Sequence, residues 1–299
     1  MTISTISTTQ QSNNMRLIIA RQNEELAKLT MESSTGFKKD VYAENPGSAT
    51  QSLKMRSLMA STESFQTSNK LLEGKLETAY DTLSNATAVA RDFQDLSLAG
   101  EITSMNRSEY RQQAEDTLHR MVSALNTTYG GEFLFSGLET GQKPLEINAA
   151  GTGVTYLGDT TGKLSARIDG TTDLNYGIRA DDPAITDVFD ALNTVLSTNL
   201  DALSDTDFEI LRDNVTGLMN QGITGMTSLA ADLGNNQAIL ENKITDQASL
   251  LKIYNNAVAD VEVAEPEETA LRLKQLMNQL EVSYQVTSRI SGMSLLNYL

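Results

Sequence analysis

A chain that did chemistry at its side chains would have to do it here with one histidine and no cysteine. His119 follows Leu118 beside an apolar stripe and falls on the water side of a helical pattern. Zinc takes four ligands, mostly thiolate or imidazole, so a lone imidazole predicts a surface histidine and no zinc site. A serine triad would have to borrow that histidine from a helix flank, and no G-x-S-x-G or phosphate-binding loop occurs. The glycines of GTGVTYLG lie between strand-like pieces with no Lys-Ser/Thr after them. Carboxylates are more plentiful: Asp159, Asp169, Asp173, Asp181 and Asp182 recur through a turn-rich stretch. Such groups can bind calcium, yet the run with central Gly and terminal Glu that a helix–loop–helix calcium site needs is missing. Aspartate also favours turns because its side chain accepts from nearby backbone amides. The expectation is no enzyme, no cofactor and no metal.

The elements that would position any site are more informative. The chain has 299 residues, enough for two ordinary domains or one elongated one. Hydrophobic residues are 39%, lean for a thick core but suited to long thin bundles with apolar stripes. A net charge of −16 opposes the counterion displacement that nucleic-acid binding needs, and disfavours anionic membranes too. MTISTISTTQQSNNMRLIIARQNEEL has no basic stretch before an apolar one, and its run Leu17 to Ala20 is closed by Arg21. No cleavable secretory signal and no membrane span are expected, which fits a cytoplasmic chain or export by a route that needs neither.

The dominant pattern is the heptad. Met15, Ile19, Gln22, Leu26 and Leu29 alternate at spacings of four and three, one stripe of a helix. Thr35-Gly36 and Asn45-Pro46-Gly47 predict a connection over 35–48. Leu58, Thr62, Phe65, Asn69, Leu72, Leu76, Ala79, Leu83, Ala86, Ala90 and Phe93 then keep one register, with Gly74 off the stripe. A shorter helix through Ala114, Leu118, Met121 and Leu125 is expected to stop at Gly130-Gly131, a pair suited to a helix C-terminus.

GGEFLFSG (130–137) changes the pattern to alternation, with Phe133 and Phe135 on one face and Leu134 on the other. LEIN, GVTYLG, KLSARIDG and LNYGIRA follow as short strand-like runs between glycines. This stretch reads as a small β-rich insertion anchored by its two phenylalanines and separable from the helices. Asp181-Asp182-Pro183 predicts a capped helix start. A second long heptad run extends from Phe208 to Val261 with a slip near Gly222 and Gly225, and Pro266 opens a last helix. That helix carries two stripes, Leu273, Leu276, Leu280, Thr287 and Ile290, and beside it Val282, Val286, Met293 and Leu296.

The fold class expected is mainly α: an elongated rod of heptad-patterned helices from both chain ends with a small β-rich insertion between. The boundaries are an N-terminal assembly helix (1–34), two rod segments (35–131 and 183–266), the insertion (132–182) and a C-terminal assembly helix (267–299). The seams of the two end helices are expected to lack cover within the chain and to pack on neighbouring chains. The candidate interface is Met15, Ile19, Leu26, Leu29, Leu280, Val286, Ile290, Met293 and Leu296.

Four stretches resemble one family. LEVSYQVTSRISGMSLLNYL (280–299), LAKLTMESSTG (26–36), GGEFLFSG (130–137) and GVTYLGD (153–159) are similar to segments of the flagellin superfamily, and within it to the hook-associated junction proteins. One departure is Glu44-Asn45-Pro46, where the family usually has Asp-Asp-Pro. The resemblance implies terminal helices forming an inner tube, a helical rod and an outer β-rich domain. It implies unfolded export through the flagellar type III apparatus to an extracellular position, and terminal segments that fold on assembly. It also implies partners: identical subunits in a ring, hook-associated protein 1 on the hook side, flagellin on the filament side, and an export chaperone. A filament flagellin is the alternative within the superfamily. A peptidoglycan-cleaving flagellar enzyme is the alternative outside it, and no acid pair in a recognisable motif speaks for that.

Overall fold

The computed structural model describes residues 8–44, 46–98 and 106–296, with side chains at 10–43, 46–98 and 106–289. Seven helices hold most of them: α1 (Thr8–Thr35), α2 (Val41–Glu44), α3 (Pro46–Leu98), α4 (Arg107–Leu125), α5 (Pro183–Ser197), α6 (Asp205–Glu262) and α7 (Pro266–Leu296). Between α4 and α5 lie six short strands, β1 (Thr128–Tyr129), β2 (Glu132–Phe133), β3 (Leu145–Ile147), β4 (Val154–Tyr156), β5 (Ser165–Arg167) and β6 (Asp173–Asn175). They pair antiparallel as three separate two-stranded hairpins. The chain forms two compact units, one of residues 62–249 and one of 1–61 with 250–299, and α3 and α6 contribute to both. The junctions near 34 and 266 are therefore breaks between helices rather than between units.

In the unit of residues 62–249 the heptad reading of α3 holds from Asn69 to Phe93, all of whose stripe residues are buried. Leu58, at the start of that stripe, is exposed. Pro46 opens α3 instead of interrupting the chain, since its fixed φ suits a first helical position. On α6, Met219, Met226, Leu233, Leu240 and Gln247 are buried at strict sevenfold spacing. The helix is unbroken at Gly222 and Gly225. A Cβ at Gly222 would stand 2.5 Å from Val188, and one at Gly225 2.5 Å from Ala184, so the glycines let α5 approach α6 closely. Asp182 caps α5 as expected, accepting from the Ala184 amide at 3.2 Å, with Pro183 behind it.

The Gly-Gly pair has a different role from the one expected. α4 ends at Leu125, and Asn126 holds both backbone groups of Leu145 through its side-chain amide, each at 3.0 Å. Gly130 and Gly131, at φ 60° and 87°, make the two-residue loop of the β1–β2 hairpin, which pairs Tyr129 with Glu132. Two consecutive positive φ values are what such a tight hairpin requires. Tyr129 is then set against Gly74 of α3, which is why a glycine is tolerated in that helix.

Nor is the insertion separable. Phe135 is fully buried, Leu134 is buried beside it and Phe133 is half-buried, so both faces of the run are covered. Phe135, Leu145, Ile168, Leu174 and Ile178 belong to one continuous core with Leu72 to Phe93 of α3, α4, α5 and Phe208 to Leu240 of α6. A buried polar layer fixes the β5–β6 hairpin to the helices: the Ile168 carbonyl accepts from Asn69 at 2.9 Å and from Gln247 at 3.0 Å, and Asn69 donates to Gln247 at 3.1 Å. At the start of α4, Arg107 is buried under Phe208, 4.7 Å from its ring centroid, and donates to the carbonyls of Leu200 and Leu203 and to Asp205. Tyr110 stacks on Phe93 at 5.2 Å and meets Phe208 edge-on.

Candidate assembly interface

The aspartates that could have done chemistry are engaged in building turns. Asp159 accepts from Thr161 at 2.7 Å and from the Gly162 amide at 3.0 Å, and these bonds lower its pKa. Asp169 accepts from the Thr171 and Thr172 amides and pairs with Lys243 at 2.7 Å, which holds its carboxyl well below the usual range. Asp173 pairs with Arg167 across the β5–β6 hairpin, and Asp181 with Arg179. His119 lies exposed on α4. Among the described residues no group of three or more His, Asp or Glu is placed to hold a metal ion.

The end helices are where the unusual surface lies. α1 and α7 pack against one another, with Leu29, Leu276 and Leu280 buried and Ile19, Leu26 and Leu273 closing around them. Asn23 donates to the Tyr284 hydroxyl at 3.4 Å, so pairing runs from Leu29 with Leu276 towards Asn23 with Tyr284, and the helices are antiparallel. The α1 stripe and the first α7 stripe named in the sequence are thus each other's cover around Leu29, Leu276 and Leu280. Leu29 and Leu280 are buried, and Ile19 and Leu26 pack on that cluster. Met15 and Val286 are half-buried. The side chains of Ile290, Met293 and Leu296 lie outside the described residues. The expectation that these seams lack cover within the chain fails where Leu29, Leu276 and Leu280 are buried together, while Val282, of the second α7 stripe, stays exposed.

What stays in water is a second set of apolar side chains. On α1 these are Leu17, Ile18 and Met31; on α7 they are Leu271, Met277, Val282 and Tyr284, and Val282 is 59% exposed. Leu271 and Val282 are eleven residues apart, three turns of α7, and share one face; Met277 and Tyr284, seven apart, share another. Single exposed apolar residues are ordinary, but this many on two paired helices mark a surface that another protein can cover. Of these residues only Val282 stood out in the sequence, as part of a second stripe. The others fall off the strict heptad, and the readable signal was the surplus of apolar positions over what one seam needs.

The base of the α1–α7 pair is held by a clasp that the sequence did not reveal. Phe37 and Val263 form an antiparallel bridge, the Lys38 amide donates to the Glu262 carbonyl at 2.8 Å, and the Ala264 amide to that of Gly36 at 2.9 Å. The buried Glu262 carboxylate accepts from Arg56, Ser52 and Tyr42. The Arg56 bonds lead in lowering its pKa to about 2. A carboxyl depressed on folding contributes stability that is complete above its unfolded pKa and is lost as pH falls through the folded one. Protection of the Lys38 and Ala264 amides should therefore decline between the ordinary value of 4.5 and about 2. Glu262→Gln should weaken it at neutral pH and flatten the profile over that window. Hydrogen exchange at the two amides checks this, and a native profile that stays flat there contradicts it.

Comparison with known proteins accounts for this arrangement. Residues 6–140 match the bacterial flagellin N-terminal helical region, and residues 216–299 match its C-terminal helical region. Together they take in most of the chain, including both end helices. The chain belongs to the bacterial flagellin family. The flagellin N-terminal match runs from α1 through the β1–β2 hairpin and Phe135, and the C-terminal match takes in most of α6 and all of α7. Strands β3 to β6 and α5 fall between the two matched flagellin regions. Among solved structures, a chain from Vibrio parahaemolyticus assigned as a flagellar hook-associated protein superposes with a TM-score of 0.62 at 13% identity. That match covers 73% of this chain and 99% of the other. The flagellar junction protein of Legionella pneumophila superposes with a TM-score of 0.55 at 11% identity, over 71% of this chain and 100% of that one. At such identities the likeness establishes the fold. No curated protein matches the sequence significantly. This flagellin-family chain is a structural component of the flagellum, and among its described residues no helix is long and apolar enough to cross a membrane.

Proposed function

We propose that this flagellin-family chain is the junction protein between hook and filament, hook-associated protein 3, working outside the cell. The observation that carries an assembly role is the surface of the α1–α7 pair: after covering each other, the helices still present Leu17, Ile18, Leu271, Val282 and Tyr284 to water. Neighbouring identical subunits in a ring bury these faces, with hook-associated protein 1 below and flagellin above, and an export chaperone covers them before secretion. The fold correspondence with the whole of the Legionella pneumophila junction protein chain, over 71% of this one, supports the place at the junction over a place in the filament. The discriminating experiment is deletion of the gene in the bacterium that encodes it. Hooks without filaments, with flagellin released into the medium, are expected. Filaments of normal length overturn the junction reading, and hooks that lack filaments with no flagellin in the medium identify the chain as the filament subunit.

A further inference from the structure

The chain has no cysteine and eleven methionines, so its sulfur chemistry is thioether chemistry. The methionines are sharply sorted by exposure. Met121, Met219 and Met226 are fully buried in the core of the 62–249 unit, and Met15, Met55 and Met59 are half-buried. Among the described residues the exposed ones are Met31, at 50%, and Met277, at 57%. Both lie on the α1–α7 pair and both point away from its buried seam. The antiparallel pairing of Leu29 with Leu276 sets them at about the same level along the two helices.

We propose that Met31 and Met277 are sites of reversible sulfoxidation by peroxides, and that this modification withdraws the free subunit from assembly; the second half rests on the uncovered faces being the assembly surface. A hydroperoxide gives its terminal oxygen to the sulfur lone pair. The S–O bond forms as the O–O bond breaks, the thioether is oxidised by two electrons, and hydrogen peroxide leaves as water. Reaction requires approach to the sulfur, which the exposed residues allow and the core residues refuse. The product replaces a soft apolar tip with a strong acceptor that must be hydrogen-bonded when buried. Of the uncovered apolar residues on the same helices, Leu17, Ile18, Leu271 and Val282 offer no donor side chain, and Tyr284 is the one that carries a hydroxyl. A subunit oxidised before assembly thus carries unsatisfied polar groups into the contact, while a subunit already packed has its thioethers shielded. Methionine sulfoxide reductases, one for each epimer, reverse the change.

The test begins with the full chain in dilute hydrogen peroxide at neutral pH, followed by peptide mass spectrometry. Met31 and Met277 should convert roughly tenfold faster than Met121, Met219 and Met226; equal rates overturn the site assignment without touching the assembly reading. Oxidised chain should then incorporate onto isolated hooks about tenfold less than untreated chain, with recovery after treatment with both reductases. A chain carrying Met31→Leu and Met277→Leu should incorporate equally well before and after peroxide. Undiminished incorporation of oxidised native chain, or equal loss in the double variant, overturns the functional half. The assembly reading has its own control: untreated Val282→Asp chain that incorporates normally shows that the reading of the surface has failed, not the chemistry.

Discussion

Replacing Phe135 by alanine will loosen the whole of the 62–249 unit, and not the hairpins alone. The side chain is fully buried, and it belongs to the same continuous core as Leu76, Leu83 and Leu118 of the helices and Ile168 of the β5–β6 hairpin. Truncating such a phenylalanine removes its transfer energy and leaves a cavity that the neighbours fill incompletely, at a typical cost of about 3–5 kcal/mol. Because one core serves both helices and hairpins, that loss is shared. Hydrogen exchange should show amides of 72–93 and of 137–180 losing protection together, by a similar free energy. The backbone reinforces the coupling: the Ala180 amide donates to the Phe135 carbonyl at 2.9 Å, and Ser136 bridges to Arg179, so the end of the hairpin region closes on its beginning. Loss confined to 137–180 would restore the picture of a separable insertion.

That picture came from the sequence, and the reason it failed is instructive. Alternation in Phe133-Leu134-Phe135 does mark extended chain, but it says nothing of what lies on either face, and here both are covered. The Gly130-Gly131 pair gave a sound signal, positive φ, that two structures can use. A helix C-terminus and a two-residue hairpin loop need the same conformation, and the choice depends on whether Tyr129 finds Glu132 across the loop. The heptads of α3 and α6 were legible because burial on a helix repeats with the helix itself, as were the capped start of α5 and the presence of short strands. Gly222 and Gly225 broke the pattern in a way that looked like a slip; the cause is Val188 and Ala184 on another helix, which no local pattern records. Glu262 was invisible for the same reason, since Ser52, Tyr42 and Arg56 are each more than two hundred residues away. At the chain ends the heptad rule found the strongest stripes and so found the seam that α1 and α7 use on each other. Surfaces left for other molecules are the less regular remainder, which is why Leu17, Met277 and Tyr284 were passed over.

The division between seam and face can be separated with two single substitutions two residues apart on α7: Leu280→Asp in the seam and Val282→Asp on the exposed side. Leu280 is 5% exposed and packs with Leu29 and Leu276, so a carboxylate there must be desolvated among leucines or force the helices apart. The second course costs the pairing itself. Leu280→Asp should therefore lose α1–α7 helicity by circular dichroism, become cleaved by trypsin at Arg16, Arg21 and Arg272, and fail to assemble because the helix pair is gone. Val282 is 59% exposed, and a charge there remains hydrated in the free chain. Its stability should stay within about 0.5 kcal/mol of the native value, with the same trypsin pattern. Yet in a packed assembly that carboxylate would enter an apolar contact in a chain already carrying a charge of −16, so repulsion between like copies adds to desolvation. Incorporation should fall as far as it does for Leu280→Asp, although the fold is intact. A soluble, protease-resistant Val282→Asp chain that assembles at the native level would mean that the exposed side of α7 is not a contact surface, and that the paired helices act in assembly through other faces.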